Sequence, residues 1–384
     1  MRRTTARVTG YNRPMADDQQ ASRREFLRGR FALRALWQRT HQIADDAAKS
    51  LDAIRSARGA AAESGPLTSV SRRAMATEFV VEVRAAAGGA ATEAALAALD
   101  TVARVEDQLT VYREWSETID VNQNAALRPV PVESRLFRLL RLCQWLHHAT
   151  GGAFDPTSGP LSRTWGFFAR DGRFPNEAER IAALDRVGFG RVLLDEAAET
   201  VQFAEPGVEL NFNSIGKGYA LDLAAAILLE RGVDDFLIHG GRSSVVACGS
   251  PEGDAAAGWA IGVPHPLRPG ENVGQLRVVG RGLGTAGSAT QHFEYEGRRY
   301  GHVLDPRTGW PAEGVHTATV VAPTGAEADA LATAFYVLGP GGAAEYCAAH
   351  DDVAAVLVCP GAGEDEYDVH AFNLSPTDWT RTDG

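Results

Sequence analysis

The stretch Asn211-Phe212-Asn213-Ser214-Ile215-Gly216-Lys217-Gly218-Tyr219-Ala220-Leu221-Asp222 limits the fold of this chain more than any other. Residues 191 to 212 alternate as two short strands around a turn near Ala197-Ala198, and an Ala- and Leu-rich run then extends from Gly216 to Arg231 and stops at Gly232. A buried strand, Asp235 to His239, follows at once. The stretch therefore reads as a point where a strand turns into a helix, where free backbone amides and the helix dipole receive anions. Lys217 adds a cation there and Ser214 an oxygen. Phosphate binding and mere close packing at Gly216 and Gly218 both fit the segment taken alone.

Other elements follow from periodicity. From Ser69 the chain reads as a strand with Phe79, Val81 and Val83 on one face. Ala90 to Leu109 is a helix by Leu96, Leu99, Val102, Val105 and Leu109, and Glu133 to Thr150 is another, closed by Gly151-Gly152. Strands are expected at Ser244 to Cys248, Trp259 to Val263, Gln275 to Val279 and Thr317 to Ala322. Pro264 to Gly274 reads as a surface excursion, Phe293 to Tyr300 as a hairpin turning at Gly297, and Ala326 to Leu338 as a helix. Pro156 forces the preceding Asp155 into an extended conformation, in a loop suited to carrying ligands.

Length and charge narrow the function. A chain of 384 residues suffices for one large α/β domain or two ordinary ones. A formal charge of −11, from 49 acidic against 38 basic residues, argues against nucleic acid, since phosphate-backbone binding depends on clustered cations. A small ligand is expected instead, and an acidic protein handling a polyphosphate calls for a divalent ion. Cys143, Cys248, Cys347 and Cys359 have no metal-ligand spacing and read as buried free thiols. No apolar run reaches the ~20 residues of a membrane helix, so no transmembrane segment is expected.

The N-terminal residues 1–68 read as a basic extension and linker, with Ser56 to Ser71 rich in Ala, Ser and Gly. Ser22 to Arg28 looks like a twin-arginine signal core, but Arg30, Arg34 and Arg39 interrupt the apolar segment such a signal needs. A cytoplasmic chain is favoured, with export by the twin-arginine route as the alternative. One catalytic domain over 69–375 and a tail over 376–384 complete the expected organisation.

Two further segments carry chemistry. In Tyr300-Gly301-His302-Val303-Leu304-Asp305-Pro306-Arg307-Thr308-Gly309, His302 ends a strand and is a candidate proton acceptor, although the segment also fits a plain turn. In Ala328-Asp329-Ala330-Leu331-Ala332-Thr333, the i, i+4 spacing puts the Asp329 carboxylate and the Thr333 hydroxyl on one helical face. Both are hard oxygen donors of the kind magnesium takes beside a diphosphate, and both equally fit capping and packing.

In this order, and together with Met75-Ala76-Thr77, Phe79, Tyr112, Asn122 and Gly152-Ala153-Phe154-Asp155-Pro156-Thr157, these segments resemble the FAD:protein FMN transferase family, also called the ApbE family. The resemblance runs from residue 75 to 339 and implies an α+β fold, T-fold-related, of mixed sheet and helix enclosing an FAD cleft. It implies Mg2+-dependent transfer of FMN from FAD to a threonine or serine hydroxyl of a partner flavoprotein, itself expected to be a redox protein, with release of AMP. By the resemblance Met75, Tyr112, Ala153, Phe154, Asp155, Asn211, Lys217 and Val303 bind FAD, Ser214, Asp329 and Thr333 hold magnesium, and His302 is the base.

Two departures stand out. Many relatives carry aspartate where this chain has Asn211 and glycines at Asn213 and Ser214, and Ala286 in Thr285-Ala286-Gly287-Ser288 replaces a usual serine. They keep two alternatives open: a Mg-dependent FAD diphosphatase yielding FMN and AMP, and an FAD-binding paralogue with weakened catalysis.

Overall fold

The computed structural model describes residues 67–84, 89–251, 258–287, 291–363 and 366–382; the twin-arginine-like segment, most of the expected linker and Ser288 lie outside them. Alternation sets its first element. The strand expected from Ser69 is a hairpin of β1 (Leu67–Ala74) and β2 (Thr77–Arg84), with Phe79, Val81 and Val83 fully buried on one face. The pairing of Ala74 with Thr77 leaves Met75 and Ala76 as a two-residue turn, with φ values of 47° and 59°. Tight hairpins demand left-handed conformations that Asn and Gly adopt most readily, so two ordinary residues here hold a strained backbone.

In chain order the remaining elements are α1 (Ala90–Leu109), α2 (Glu117–Asn124), β3 (Val130–Pro131), α3 (Ser134–Ala149), α4 (Gly159–Thr164), α5 (Glu177–Leu184), β4 (Val192–Asp195) and β5 (Thr200–Phe203). Then come α6 (Gly216–Glu230), β6 (Phe236–Gly240), β7 (Ser244–Cys248), β8 (Trp259–Pro264), β9 (Asn272–Val278), β10 (Arg281–Gly287), β11 (His292–Tyr295), β12 (Arg298–Gly301) and β13 (Thr317–Ala322). The chain ends through α7 (Gly325–Ala349), β14 (Ala354–Pro360), β15 (Tyr367–Phe372) and β16 (Trp379–Arg381).

Eight strands form one antiparallel sheet in the order β1-β2-β6-β7-β10-β13-β14-β15. Helices α1, α6 and α7 pack on one face. A three-stranded sheet, β16-β9-β8, packs on the other through Trp259, Val263, Leu276, Val278, Val245, Leu283 and Val356. Every residue of β13 is buried because both its faces are covered. Burial of each large apolar side chain in such a layer contributes about 1.5–3 kcal/mol.

Two small residues let the layers close. A Cβ on Gly218 of α6 would lie 1.9 Å from the Gly325 carbonyl oxygen at the start of α7, and one on Gly284 of β10 would lie 2.4 Å from the Ala328 carbonyl. Only glycine permits that approach, so α6 crosses α7 and α7 lies on β10 at backbone distance.

The structure departs from expectation at definite points. Residues 204–212 form no strand, so Asn211 enters α6 from an irregular turn rather than from a strand end. Helix α7 runs past Leu338: Gly339, at φ 69° and ψ −175°, makes a kink, and Pro340 opens a second helical segment. Trp379–Arg381, in the segment read as a C-terminal tail, pairs with β9, and Trp379 packs against the core. A second cluster, Leu161, Trp165, Phe167, Val187, Tyr300 and Leu304, underlies the loops beside the β11-β12 hairpin.

Candidate functional site

A cleft of about 380 Å³, the size of small-ligand sites, opens where these loops meet the N-terminal ends of α6 and α7. Of the residues expected to act, Tyr112, Ala153, Asp155, Asn211, Ser214, Lys217, His302, Val303, Asp329 and Thr333 line it. Met75 does not, since it occupies the β1-β2 turn. Nor does Phe154, which is 1% exposed and belongs to the core.

His302 follows β12 directly. Its Nδ1 lies 3.1 Å from the Gln291 carbonyl, and its amide donates to the same oxygen at 3.2 Å. A carbonyl only accepts, so Nδ1 carries the proton and Nε2 is left with a lone pair. Burial lowers the imidazole pKa below its usual 6.5, Lys217 adds to that, and the Gln291 bond opposes it. His302 is thus held neutral, as a base must be. Asp305, three residues on, is engaged elsewhere, in a bidentate pair with Arg307 at 2.8 Å.

Lys217 comes from the first turn of α6, and Asp329 stands at the start of the second turn of α7. Lys217 Nζ donates to Ser243 Oγ at 3.0 Å in the β6-β7 turn. Asp329 Oδ2 accepts the Gly218 amide at 2.7 Å, an anion on the amino end of α6. Burial raises the Asp329 pKa, while Lys217 and the Gly218 amide pull it down. The same exchange runs in reverse: Asp222 of α6 accepts the Gly325 and Ala326 amides at 2.7 and 2.9 Å. Desolvation between the helices pushes Asp222 up to about 7, although part of the residue stays accessible.

Three expected ligands are already engaged. Asp155 Oδ1 accepts from the Thr157 amide at 2.8 Å and its hydroxyl at 2.6 Å, and Oδ2 accepts the Phe189 amide at 3.0 Å and faces His147 Nδ1 at 3.1 Å. Its carboxylate shapes the cleft loop from within the lining. Asn211 Oδ1 accepts the Asn213 amide at 3.0 Å, folding back on its own turn. The Val303 carbonyl accepts the Ala312 amide at 2.9 Å. Asn122 of α2 clamps the residue before Asn211, exchanging bonds with the Leu210 amide and carbonyl at 2.7 and 2.9 Å.

Sequence reasoning missed Phe168, Arg170, Ser243 and Gln291, all of which line the cleft. Phe168 stacks under Tyr112 at 4.8 Å between centroids, and the Arg163 guanidinium sits 3.8 Å from the Phe168 ring. Tyr112, 62% exposed, thereby presents a ring at the mouth. The aromatic run Trp165-Gly166-Phe167-Phe168 was the available signal for this wall; Gln291 acts through its backbone and left none. Trp165 Nε1 donates to the Gly309 carbonyl at 2.9 Å and so fastens that loop to the histidine segment.

The donor set suits a hard divalent ion only with help. Among the described residues no three His, Cys, Asp or Glu side chains converge. Asp329 keeps Oδ1 free of the Gly218 bond, Ser214 faces the cleft, and the Thr333 hydroxyl donates to the Asp329 carbonyl at 3.3 Å, which leaves its oxygen as an acceptor. One carboxylate with hydroxyls fits magnesium completed by water and ligand phosphates.

An aromatic wall, a lysine, one carboxylate and a neutral imidazole in one open cleft define a group-transfer site for a phosphate-bearing ligand with flat rings. The chain belongs to the ApbE family, whose model matches residues 75–357. It is 30% identical over 262 residues to an FAD:protein FMN transferase of Klebsiella pneumoniae, covering 67% of this chain and 79% of that one. It is 31% identical over 244 residues to the enzyme of that name from Treponema pallidum, covering 60% and 67%. Among solved structures, the ApbE protein of Thermotoga maritima superposes with a TM-score of 0.72 at 27% identity, over 80% of this chain and 97% of that one. The flavinyl transferase ApbE of Pseudomonas stutzeri gives 0.70 at 26%, over 80% and 98%. The α+β class with antiparallel sheets is that of these structures.

Proposed function

We propose that this chain transfers the FMN moiety of FAD to a threonine or serine hydroxyl of a partner flavoprotein, with Mg2+ bound at the diphosphate and AMP released. The tautomer of His302 carries the reading: with Nδ1 committed to Gln291, Nε2 is free to take a proton beside Lys217. The acceptor hydroxyl loses its proton to Nε2 as its oxygen attacks the FMN phosphorus. The bond from that phosphorus to the bridging oxygen breaks, and the oxygen leaves on AMP. Lys217 neutralises phosphate charge, and Tyr112 stacked on Phe168 receives a ring.

Asp329, Thr333 and Ser214 are the residues that would hold magnesium, which when bound stabilises charge gathering on the phosphates. Incubating the full chain with FAD, Mg2+ and a threonine-bearing peptide of a flavoprotein should add one FMN mass to that peptide. Free FMN and AMP without any acceptor would favour the diphosphatase instead. FAD bound without turnover at any Mg2+ concentration would favour a weakened paralogue, a reading motivated by Asn211 and Ala286 in the lining. For location the cytoplasm is our reading over twin-arginine export, and fractionation of cells expressing the full chain tests it.

A further inference from the structure

We propose that Asp222 is a positioning residue for the ion-binding carboxylate of Asp329, acting through the crossing of α6 and α7. The inference rests on the reading of Asp329 as a metal ligand given above. Each helix places an aspartate on the amino end of the other: Asp222 takes the amides of Gly325 and Ala326 at 2.7 and 2.9 Å, and Asp329 takes that of Gly218 at 2.7 Å. The three bonds close a ring at the point where Gly218 and Gly325 touch at backbone distance. With Oδ2 tied to Gly218, the Asp329 carboxylate has a fixed rotation in the lining of the cleft.

Helix α7 does not need Asp222 merely to start. Thr324 already caps it, accepting the Glu327 amide at 3.2 Å and donating to the Glu327 carboxylate at 3.0 Å. What Asp222 adds is a tie between two helices whose sequences lie 103 residues apart. That tie fixes where the first turn of α7, and so Asp329, stands over the cleft. Outer residues that orient a metal ligand typically change metal affinity by about 10–100-fold when removed.

The test compares Asp222→Ala and Asp222→Asn in the full chain, with Asp329→Asn as reference. Mn2+ binding in the presence of FAD is read from the electron-paramagnetic signal of free ion, and FAD binding in EDTA from flavin fluorescence. Asp222→Ala is expected to weaken Mn2+ binding by about 10-fold or more while FAD affinity in EDTA stays within about twofold, with Asp222→Asn between it and the parent. If Asp222→Ala does not fold, Asp222→Asn carries the comparison. Unchanged Mn2+ affinity in folded Asp222 variants overturns the positioning role, as does an equal loss of FAD affinity in EDTA, which marks general collapse. Intact Mn2+ binding in Asp329→Asn overturns the ligand assignment itself, and the positioning role with it.

Discussion

Replacing Gly218 by alanine tests whether the crossing of α6 and α7 sets the site. The added Cβ would meet the Gly325 carbonyl oxygen at 1.9 Å and carbon at 2.3 Å, and the Ala326 nitrogen at 2.8 Å, all backbone atoms that cannot swing aside. An ordinary carbon–oxygen contact is about 3.3 Å, so the helices must part by about 1.4 Å at this point. The 2.7 Å bond from the Gly218 amide to Asp329 cannot survive that displacement. Overpacking of this kind costs about 1–3 kcal/mol, which in a domain of this size lowers Tm by roughly 1.5–5 °C. A shift of about 1 Å in a reacting group costs about 100-fold in rate, so FMN transfer falls much further than stability does. Calorimetry and the peptide mass assay read the two effects separately. A Gly218→Ala protein with unchanged Tm and unchanged transfer would refute the reasoning.

Four further outcomes follow from other parts of the molecule. Because His302 is lowered from 6.5 by burial, the acid limb of kcat/KM lies below pH 6.5 and vanishes in His302→Asn; a limb above 6.5 opposes the assignment. The folded histidine binds its proton more weakly than the unfolded one, so its contribution to stability is complete above pH 6.5 and is lost below it, as pH falls through the lower folded value; denaturant melts at several pH values can check this. Ala76→Gly relieves a left-handed residue at φ 59° and should stabilise by about 1 kcal/mol, a rise of roughly 1.5 °C in Tm by calorimetry. Arg170 lines the cleft, so Arg170→Ala should raise KM for FAD by about 10-fold, the worth of one charge-assisted hydrogen bond; an unchanged KM would exclude it from the ligand.

Where local pattern and tertiary demand agree, the sequence is legible. Ala90–Leu109 was readable in its bounds, because Leu99, Val102, Val105 and Leu109 are buried in a helix that lies on the sheet, whereas Leu96, expected on the same stripe, is exposed. Strand β10 was not: its glycines at 282, 284 and 287 speak against a strand, yet Gly284 is needed for α7 to approach. Lys217, His302 and Asp329 could be placed in one site only through the family resemblance, since each motif alone also fits packing, a turn or a cap. The Asp155 carboxylate could not be placed, because its partners His147, Thr157 and Phe189 are spread over three segments. The hairpin that puts Met75 in a two-residue turn was not legible either, because only its register shows where the first strand ends.

The bonds joining α6 to α7 span sequence separations of 103 to 111 residues. Closing a loop of that length costs conformational entropy before any contact repays it, and the sheet asks for more still, since Phe79 of β2 pairs with Gly240 of β6. The cleft therefore exists only in a chain whose distant segments are already joined. A ligand that binds this folded state and not the unfolded chain draws the whole equilibrium towards closure by mass action.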